Sequence, residues 1–347
     1  MGKTLKDISW QVTEEEYRAD KAYSYSTLAK FDREGFNNLE TLFDKVESPS
    51  LLFGSMVDTL LTDGLDAFDE RFLVAEFPEV PDSIVKILKY IYEVASDVYR
   101  CLEDIPDHII LSAASSHKYQ ENWKPETRVK VIREKGSEYY KLLLLSMDKE
   151  LVSNKLYQDA KECVYKLQTD EATKWYFAID NPFDGIERYY QLKFKSEYEG
   201  IPIRCMMDLA IVDTINKVII PCDLKTSYKR EWDFYKSFIE WKYYIQATLY
   251  WRILRDNLDK DPVFKDYKLL DYRFIVISNG SKRPLVWEYP DTQVITDVIY
   301  GKNKDIICKN WRNIVKELHF YMTTGREYPI GISTKEPNNI IKWLNGE

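Results

Sequence analysis

A change of texture near Asn181 constrains this chain more than any other feature of its sequence. Before it, residues 77–180 carry apolar side chains at helical spacing. Ile84, Ile87, Leu88, Ile91, Val94 and Val98 make one run; Val152, Leu156, Ala160, Cys163 and Leu167 make another. After it, IERYYQLKFKSEYEGIPIRCMMDLAIVDTINKVIIPCDLKTS reads as three strands joined by turns at SEYEG and DTINK. Pro221 predicts an edge position or a distortion in the third strand. A long amphipathic helix is expected from Glu231 to Leu258, with Phe238, Trp241, Ile245, Leu249 and Ile253 as its buried stripe. Two further strands, DYRFIVISN and LVWEYP, flank a turn at NGSKRP; a helix over residues 292–321 and a tail, NIIKWLNGE, follow. This order predicts an α/β fold, a mixed central β-sheet flanked by helices. The expected division is an N-terminal helical part (1–76), a helical insert or lobe (77–180), and an α/β core with C-terminal helices (181–347).

The chemistry concentrates on the second and third strands. Asp208 and Asp223 end two short apolar runs, 15 residues apart across a hairpin, and can converge on one ion. Lys225 shares the face of Asp223 because strand side chains repeat every two residues. Phosphodiester hydrolysis needs a cation at the scissile phosphate, a nucleophilic water and a positive group near the developing charge. Two or three carboxylates suffice to hold magnesium, which keeps several waters. Lys225 can orient or deprotonate the water, and Thr226 and Ser227 offer hydroxyls to a phosphate oxygen. Lys242, Gln246 and Tyr250 recur every four residues along one helical face. Acids at strand ends with a lysine two residues on also arise by chance, so this spacing alone does not define a site.

Far upstream, Asp58 interrupts an apolar helical run containing Leu52, Met56, Leu60 and Leu61. A carboxylate there is costly unless something binds it or it faces solvent. Gly54, one turn earlier, permits close approach of a ligand or another backbone. At the N-terminus, Ser24 or Ser26 can cap a helix beginning near Thr27.

Composition narrows the function classes. The 347 residues are 45% hydrophobic, without a low-complexity stretch, so the chain can bury a large core. No apolar run approaches the roughly 20 residues of a membrane span, and the first residues lack a signal peptide's apolar core, which predicts a cytoplasmic protein. Five scattered cysteines without CxxC spacing read as reduced thiols and argue against an iron–sulfur cluster. The net charge of −8 counts against a nucleic-acid partner. Yet residues 225–255 hold seven basic side chains, among them Lys229 and Lys242, against three acidic ones. They form either a basic patch beside the acids or a solvated helix face. The plentiful aromatics, 26 of them tyrosine, are read as core and not as base-stacking platforms. His108 and His117, near loops, have no partner at ligand spacing.

Taken together and in order, GSMVD, MMD, DLKTS and QATLY resemble the motifs of the PD-(D/E)XK nuclease superfamily. Within it they are most similar to the phage-type exonuclease VIII (RecE-like) branch, related to the RecB, AddB and Cas4 nuclease domains. The resemblance runs from about Tyr23 to the C-terminus and implies a restriction-endonuclease-like core. It implies that Asp208 and Asp223 bind Mg2+ or Mn2+ with the Leu224 carbonyl as a further ligand, and that Lys225 is the catalytic lysine. Gln246 would hold the water or a phosphate, and Tyr250 would support it or contact the DNA backbone. Asp58 stands where the family has a metal-binding histidine, and Met207 where the motif's name has proline. Thr226, Ser227, Lys229 and Lys242 are the candidate DNA contacts.

The activity so implied is an exonuclease on linear double-stranded DNA, serving recombination or genome processing in a phage or bacterium. A homo-oligomer, DNA ends, a single-strand annealing protein and a bacterial host cytoplasm are its implied context. A catalytically weak nuclease-fold protein that binds DNA or assembles is the other reading, favoured by the acidic net charge and Asp58.

Overall fold

Local signals set the first helices. In the computed structural model, which describes residues 2–44, 46, 48–147, 149–179, 184–301, 304 and 306–325, Thr13 and Glu16 form a reciprocal capping box. It starts helix α1 (Glu14–Ala19): the Glu16 amide donates to Thr13 Oγ1 at 3.1 Å and the Thr13 amide to Glu16 Oε2 at 2.8 Å. Helix α2 (Tyr25–Glu34) begins two residues before the start expected near Thr27, with Ser24 at its cap position making no side-chain capping hydrogen bond and Ser26 inside the helix, and it stops at Gly35. The side chains of Asn37 and Asn38, the tail NIIKWLNGE and the start of the NPFDG turn lie outside the described residues.

The chain forms two compact units, residues 1–51 with 165–347, and residues 52–164. Asp58 belongs to the second of these units. That unit contains most of helix α3 (Pro49–Thr62), then α4 (Gly64–Arg71), strand β1 (Phe72–Ala75), and helices α5 (Asp82–Ala95), α6 (Asp107–Ser116) and α7 (Pro125–Ser146). Strand β2 (Glu150–Ser153) pairs in parallel with β1 before helix α8 (Asn154–Thr169). The sequence reading put Val152 in a helical run, whereas it lies in β2, and only Leu156, Ala160, Cys163 and Leu167 of that run are helical. Ile84, Ile87, Leu88 and Ile91 pack with Val129, Ile132 and Tyr140, as their spacing predicts, whereas Val94 and Val98 are exposed. Gly136 of α7 permits this approach: a Cβ there would stand 2.9 Å from Leu88 Cδ1.

The first unit is built on a mixed six-stranded sheet. Strands β3 (Ile186–Tyr198), β4 (Ile201–Asp213) and β5 (Val218–Ser227) form an antiparallel meander. The two-residue turn Glu199–Gly200, with φ +51° and +79°, has the two left-handed residues whose twist suits a hairpin. After β5 come helices α9 (Phe234–Glu240) and α10 (Tyr243–Asp259), then β6 (Lys268–Leu269), β7 (Tyr272–Ser278) and β8 (Pro284–Tyr289). The order is β3-β4-β5-β7-β8, with β5 and β7 parallel, β7 and β8 antiparallel, and β6 pairing β5 ahead of β7. One face packs on α2, α10 and a helix α11 (Trp311–Thr324), around Phe194, Ile203, Cys205, Ile245, Leu249, Ile253 and Phe274. This is the mixed α/β architecture the sequence predicted.

Of the two settings expected for Pro221, an edge or a distortion, the structure shows the second: its missing N–H faces the break between β6 and β7, where the neighbouring strand offers no regular pairing. Two other local expectations fail for identifiable reasons. The long helix from Glu231 is interrupted at Lys242, whose backbone is left-handed (φ +60°) and whose ammonium lies 3.0 Å from the buried Asp32 carboxylate. Trp241, expected in the buried stripe, is 45% exposed as a result. Over residues 292–321 the chain forms β9 (Val298–Tyr300) and β10 (Ile306–Cys308) before α11 starts at its Asn310 cap. Val298, Ile299, Ile306 and Ile307 are β-branched and favour strand.

Candidate active site

The site opens where two paired strands part. The ladder between β4 and β5 runs from Asp213↔Val218 to Leu209↔Cys222 and stops there. The next residues are Asp208 and Asp223. Both lie within longer strands, so they end the shared ladder and not the strands themselves, as the sequence reading had it. Asp208 Oδ2 accepts the Leu224 amide at 2.9 Å, taking the donor that continued pairing would have used. In a strand the amide and carbonyl of one residue point to the same edge, so the Leu224 carbonyl faces the side of Asp208.

The wedge left by the parting strands is lined by the N-terminus. Tyr23 accepts the Arg204 amide at 2.9 Å and donates its own to the Pro202 carbonyl at 3.0 Å, covering the edge of β4 that β5 leaves. Tyr25, at the start of α2, then lies against Tyr243 and Tyr250, with ring centroids 6.0 and 6.5 Å away.

A paired bulge turns Asp208 to the correct face. In the first part of β4, odd residues Ile203, Cys205 and Met207 join the core beneath α10; beyond it, even residues Ala210 and Val212 do. β3 changes likewise, from Phe194 and Leu192 to Tyr189, although the register of the pair is constant across the change. The change falls at Gln191 and Asp208, and Gln191 is left-handed with φ +51°. Strict alternation would have aimed Asp208 and Met207 to opposite faces.

Asp223 is 1% exposed and holds two partners. Lys225 Nζ stands 2.5 Å from Oδ2, and Gln246 Nε2 donates to Oδ1. Burial pulls the Lys225 pKa down, but Asp223, Tyr243 and Asp208 push it up and prevail, so the side chain is an ammonium at neutral pH. Its Nζ lies 4.6 Å from the Tyr243 ring centroid. Gln246 is 4% exposed, and its Oε1 is buried with no hydrogen-bond partner among the described residues. Tyr250, one turn further along α10, packs edge-on to Tyr272 at 6.4 Å. Burial and then the nearby Tyr17, Cys205, Asp223 and Asp208 hold its hydroxyl well above the usual phenol range. At 6% exposure it is a wall of the site.

The remaining candidates are distributed differently. Strand alternation puts Ser227 on the face of Asp223 and Lys225, and Thr226 on the opposite one. Ser227 Oγ accepts the Lys229 amide at 3.0 Å and keeps its own proton to donate. Lys229 pairs with Glu240 at 2.5 Å and Lys242 with Asp32, so both expected DNA-binding ammonium groups already have carboxylate partners. The four-residue face proposed for Lys242, Gln246 and Tyr250 therefore loses its first member to the break between α9 and α10. Asp58 is half-buried on α3 in the second unit. Among the described residues, no three His, Cys, Asp or Glu side chains gather as a ready set of metal ligands.

The oxygen donors present nonetheless suit a hard divalent cation: the two carboxylates of Asp208 and Asp223, the Leu224 carbonyl on the same edge, and the unpartnered buried Gln246 Oε1. The tyrosines that frame the site, Tyr25 and Tyr243, were not found from sequence. Only the position of Tyr25 between Ser24 and Ser26 and of Tyr243 near Gln246 could have pointed to them. Gln191 had no sequence signal, being a polar residue in an ordinary alternating strand.

No family model matches this sequence, and no curated protein does. Among solved structures the chain is similar to a protein of Eubacterium rectale described as "Putative exonuclease", at 16% identity and a TM-score of 0.42, over 97% of this chain and 88% of that one.

Proposed function

We propose that this protein is a metal-dependent deoxyribonuclease that hydrolyses phosphodiester bonds, acting as an exonuclease on linear double-stranded DNA. The observation that carries the reading is the buried Asp223–Lys225–Gln246 cluster beside Asp208, at the point where β4 and β5 part. Beside this cluster the buried Gln246 Oε1 has no hydrogen-bond partner among the described residues, which leaves it open to a water or a cation.

Asp208, Asp223 and the Leu224 carbonyl would hold Mg2+ or Mn2+. When bound, the ion neutralises the scissile phosphate and acidifies a water. Lys225, an ammonium, orients the water or offsets charge on a phosphate oxygen; its raised pKa makes it a poor base. Gln246 Oε1 accepts a hydrogen from the attacking water, and the Asp223 contact fixes its amide in that direction. Ser227 donates its hydroxyl to a phosphate oxygen, and Tyr250 holds the floor rigid.

End-labelled linear duplex and closed circular DNA, incubated with magnesium or manganese, test the reading. Degradation of the linear form, lost in Asp223→Ala and Lys225→Ala, is expected. Equal activity in wild type and variants, or none with any divalent ion, would sink it; cleavage of the circle would make the protein an endonuclease.

A further inference from the structure

We propose that the segment between Lys225 and Tyr243 binds single-stranded DNA by stacking unpaired bases on its exposed aromatic rings. The proposal rests on the nuclease reading and adds to it a place for the strand that is no longer paired. The contact of Lys225 Nζ with the Tyr243 ring closes residues 226–242 into a loop whose two ends meet at the acid site. This loop carries Tyr228, Trp232, Tyr235 and Trp241, which are 60%, 48%, 54% and 45% exposed. Aromatic rings that size are normally buried, and four outward-facing ones within 14 residues, from 228 to 241, are the densest such run among the described residues.

The loop does not expose them for want of a core to enter. Its other side chains fasten it from within: Phe234 stacks on Tyr243 at 5.7 Å and meets Phe274 and Trp287. Buried Glu231 accepts the Ser281 hydroxyl at 2.8 Å, and its backbone carbonyl accepts Trp287 Nε1 at 3.1 Å. The Trp241 carbonyl accepts the Tyr25 hydroxyl at 2.6 Å, tying that end to the wall of the site. The rings are thus presented on a rigid support.

Cations accompany three of the rings. Arg230 lies over Trp232 at 5.3 Å, Lys236 over Tyr235 at 5.6 Å, and Arg33 over Trp241 at 5.3 Å. The loop's acids are occupied: Glu240 by Lys229, Asp233 by Lys236 and Glu231 by Ser281. Lys236 is held by Asp233, which leaves the Arg230 and Arg33 guanidinium groups beside Trp232 and Trp241 as the positive charge, and flat π-faces with such charge match a ligand that has both bases to stack and phosphates to neutralise. A duplex hides its base faces inside the stack, so the unpaired strand is the form that fits.

Binding of fluorescein-labelled oligothymidylate and of blunt duplex, read by anisotropy in EDTA, tests this without catalysis. Trp232→Ala/Tyr235→Ala should bind oligothymidylate at least about tenfold more weakly, with a smaller change for the duplex. Trp232→Phe/Tyr235→Phe, which keeps the rings, should stay close to wild type. Tyr228→Ser and Tyr235→Ser, at rings more than half exposed, supply variants that do not threaten folding and should each weaken binding. Unchanged oligothymidylate affinity in the alanine and serine variants would overturn the proposal. So would a change in their oligomeric state by light scattering with binding intact, which would make this face a contact between copies. Ring-dependent binding by a protein that cleaves nothing would instead overturn the nuclease reading alone.

Discussion

The two units of this chain bury different things. In the unit of residues 52–164, the main cluster is Ile84, Ile87, Leu88, Ile91, Ile132 and Leu143 with tyrosines, and its ion pairs, such as Lys130–Glu134 and Lys141–Glu138, are exposed. In the other unit a carboxylate at 1% exposure, an ammonium and an amide share one low-dielectric position beneath α10. Burying charge opposes folding unless each group is paired, and even then an apolar replacement is often more stable. A site that carries this cost beside a ready apolar core is better explained by chemistry than by stability.

The largest effect expected from that contrast is at Asp223. Asp223→Ala should lower cleavage of linear duplex about 10³-fold or more, measured as initial rate, because it removes both a candidate ligand and the partner of Lys225. Lys225→Ala should be comparably inactive but differ in stability: its melting temperature should fall in EDTA and recover with magnesium, which replaces the lost charge. No recovery would leave Asp223 without a cation role.

Gln246→Leu should reduce activity or raise the magnesium requirement about 10–100-fold, as loss of a group that orients a ligand does. A metal titration of the rate would read it. In the second unit, Ile132→Ala should cost about 2–5 kcal/mol in denaturant unfolding while leaving the magnesium dependence of cleavage unchanged below the transition. A shifted metal dependence would break the contrast between the units.

Gln191→Val tests the bulge. A β-branched residue resists a left-handed backbone, so about 1–3 kcal/mol of stability should be lost, together with activity, as Asp208 turns away from α10. The smallest effect belongs to Glu103 in the second unit. Hydrogen bonds from Cys101 and then Ser137 hold its carboxyl down at about 2, against an ordinary 4.5. The stability this contributes is present above pH 4.5 and lost as pH falls through about 2. Glu103→Gln should therefore flatten the acid limb of unfolding without touching the site.

Much of this was legible in the chain itself. Period-two alternation from Ile186, turn residues at Glu199–Gly200 and period-3.6 stripes in α5 and α10 specified the meander, its hairpin and the packing helices. The sequence also placed Asp223 and Lys225 on one face, because that follows from strand periodicity alone, and it selected Gln246.

The rest depended on contacts distant along the chain. The left-handed backbone at Lys242, which divides the long helix and exposes Trp241, is accompanied by an ion pair to Asp32, 210 positions earlier. The aromatics after Ser227 read as core because composition cannot tell an inward ring from an outward one; Phe234 and Glu231 occupy the inward positions, and Trp232 and Tyr235 are left outside. Asp208 reaches the site through a bulge shared with Gln191, and a bulge breaks the periodicity on which a sequence reading relies. Local periodicity thus determined the elements and put the candidate residues Asp223 and Lys225 on one face, whereas the parting of β4 and β5 beside Asp208 is a property of the assembled sheet.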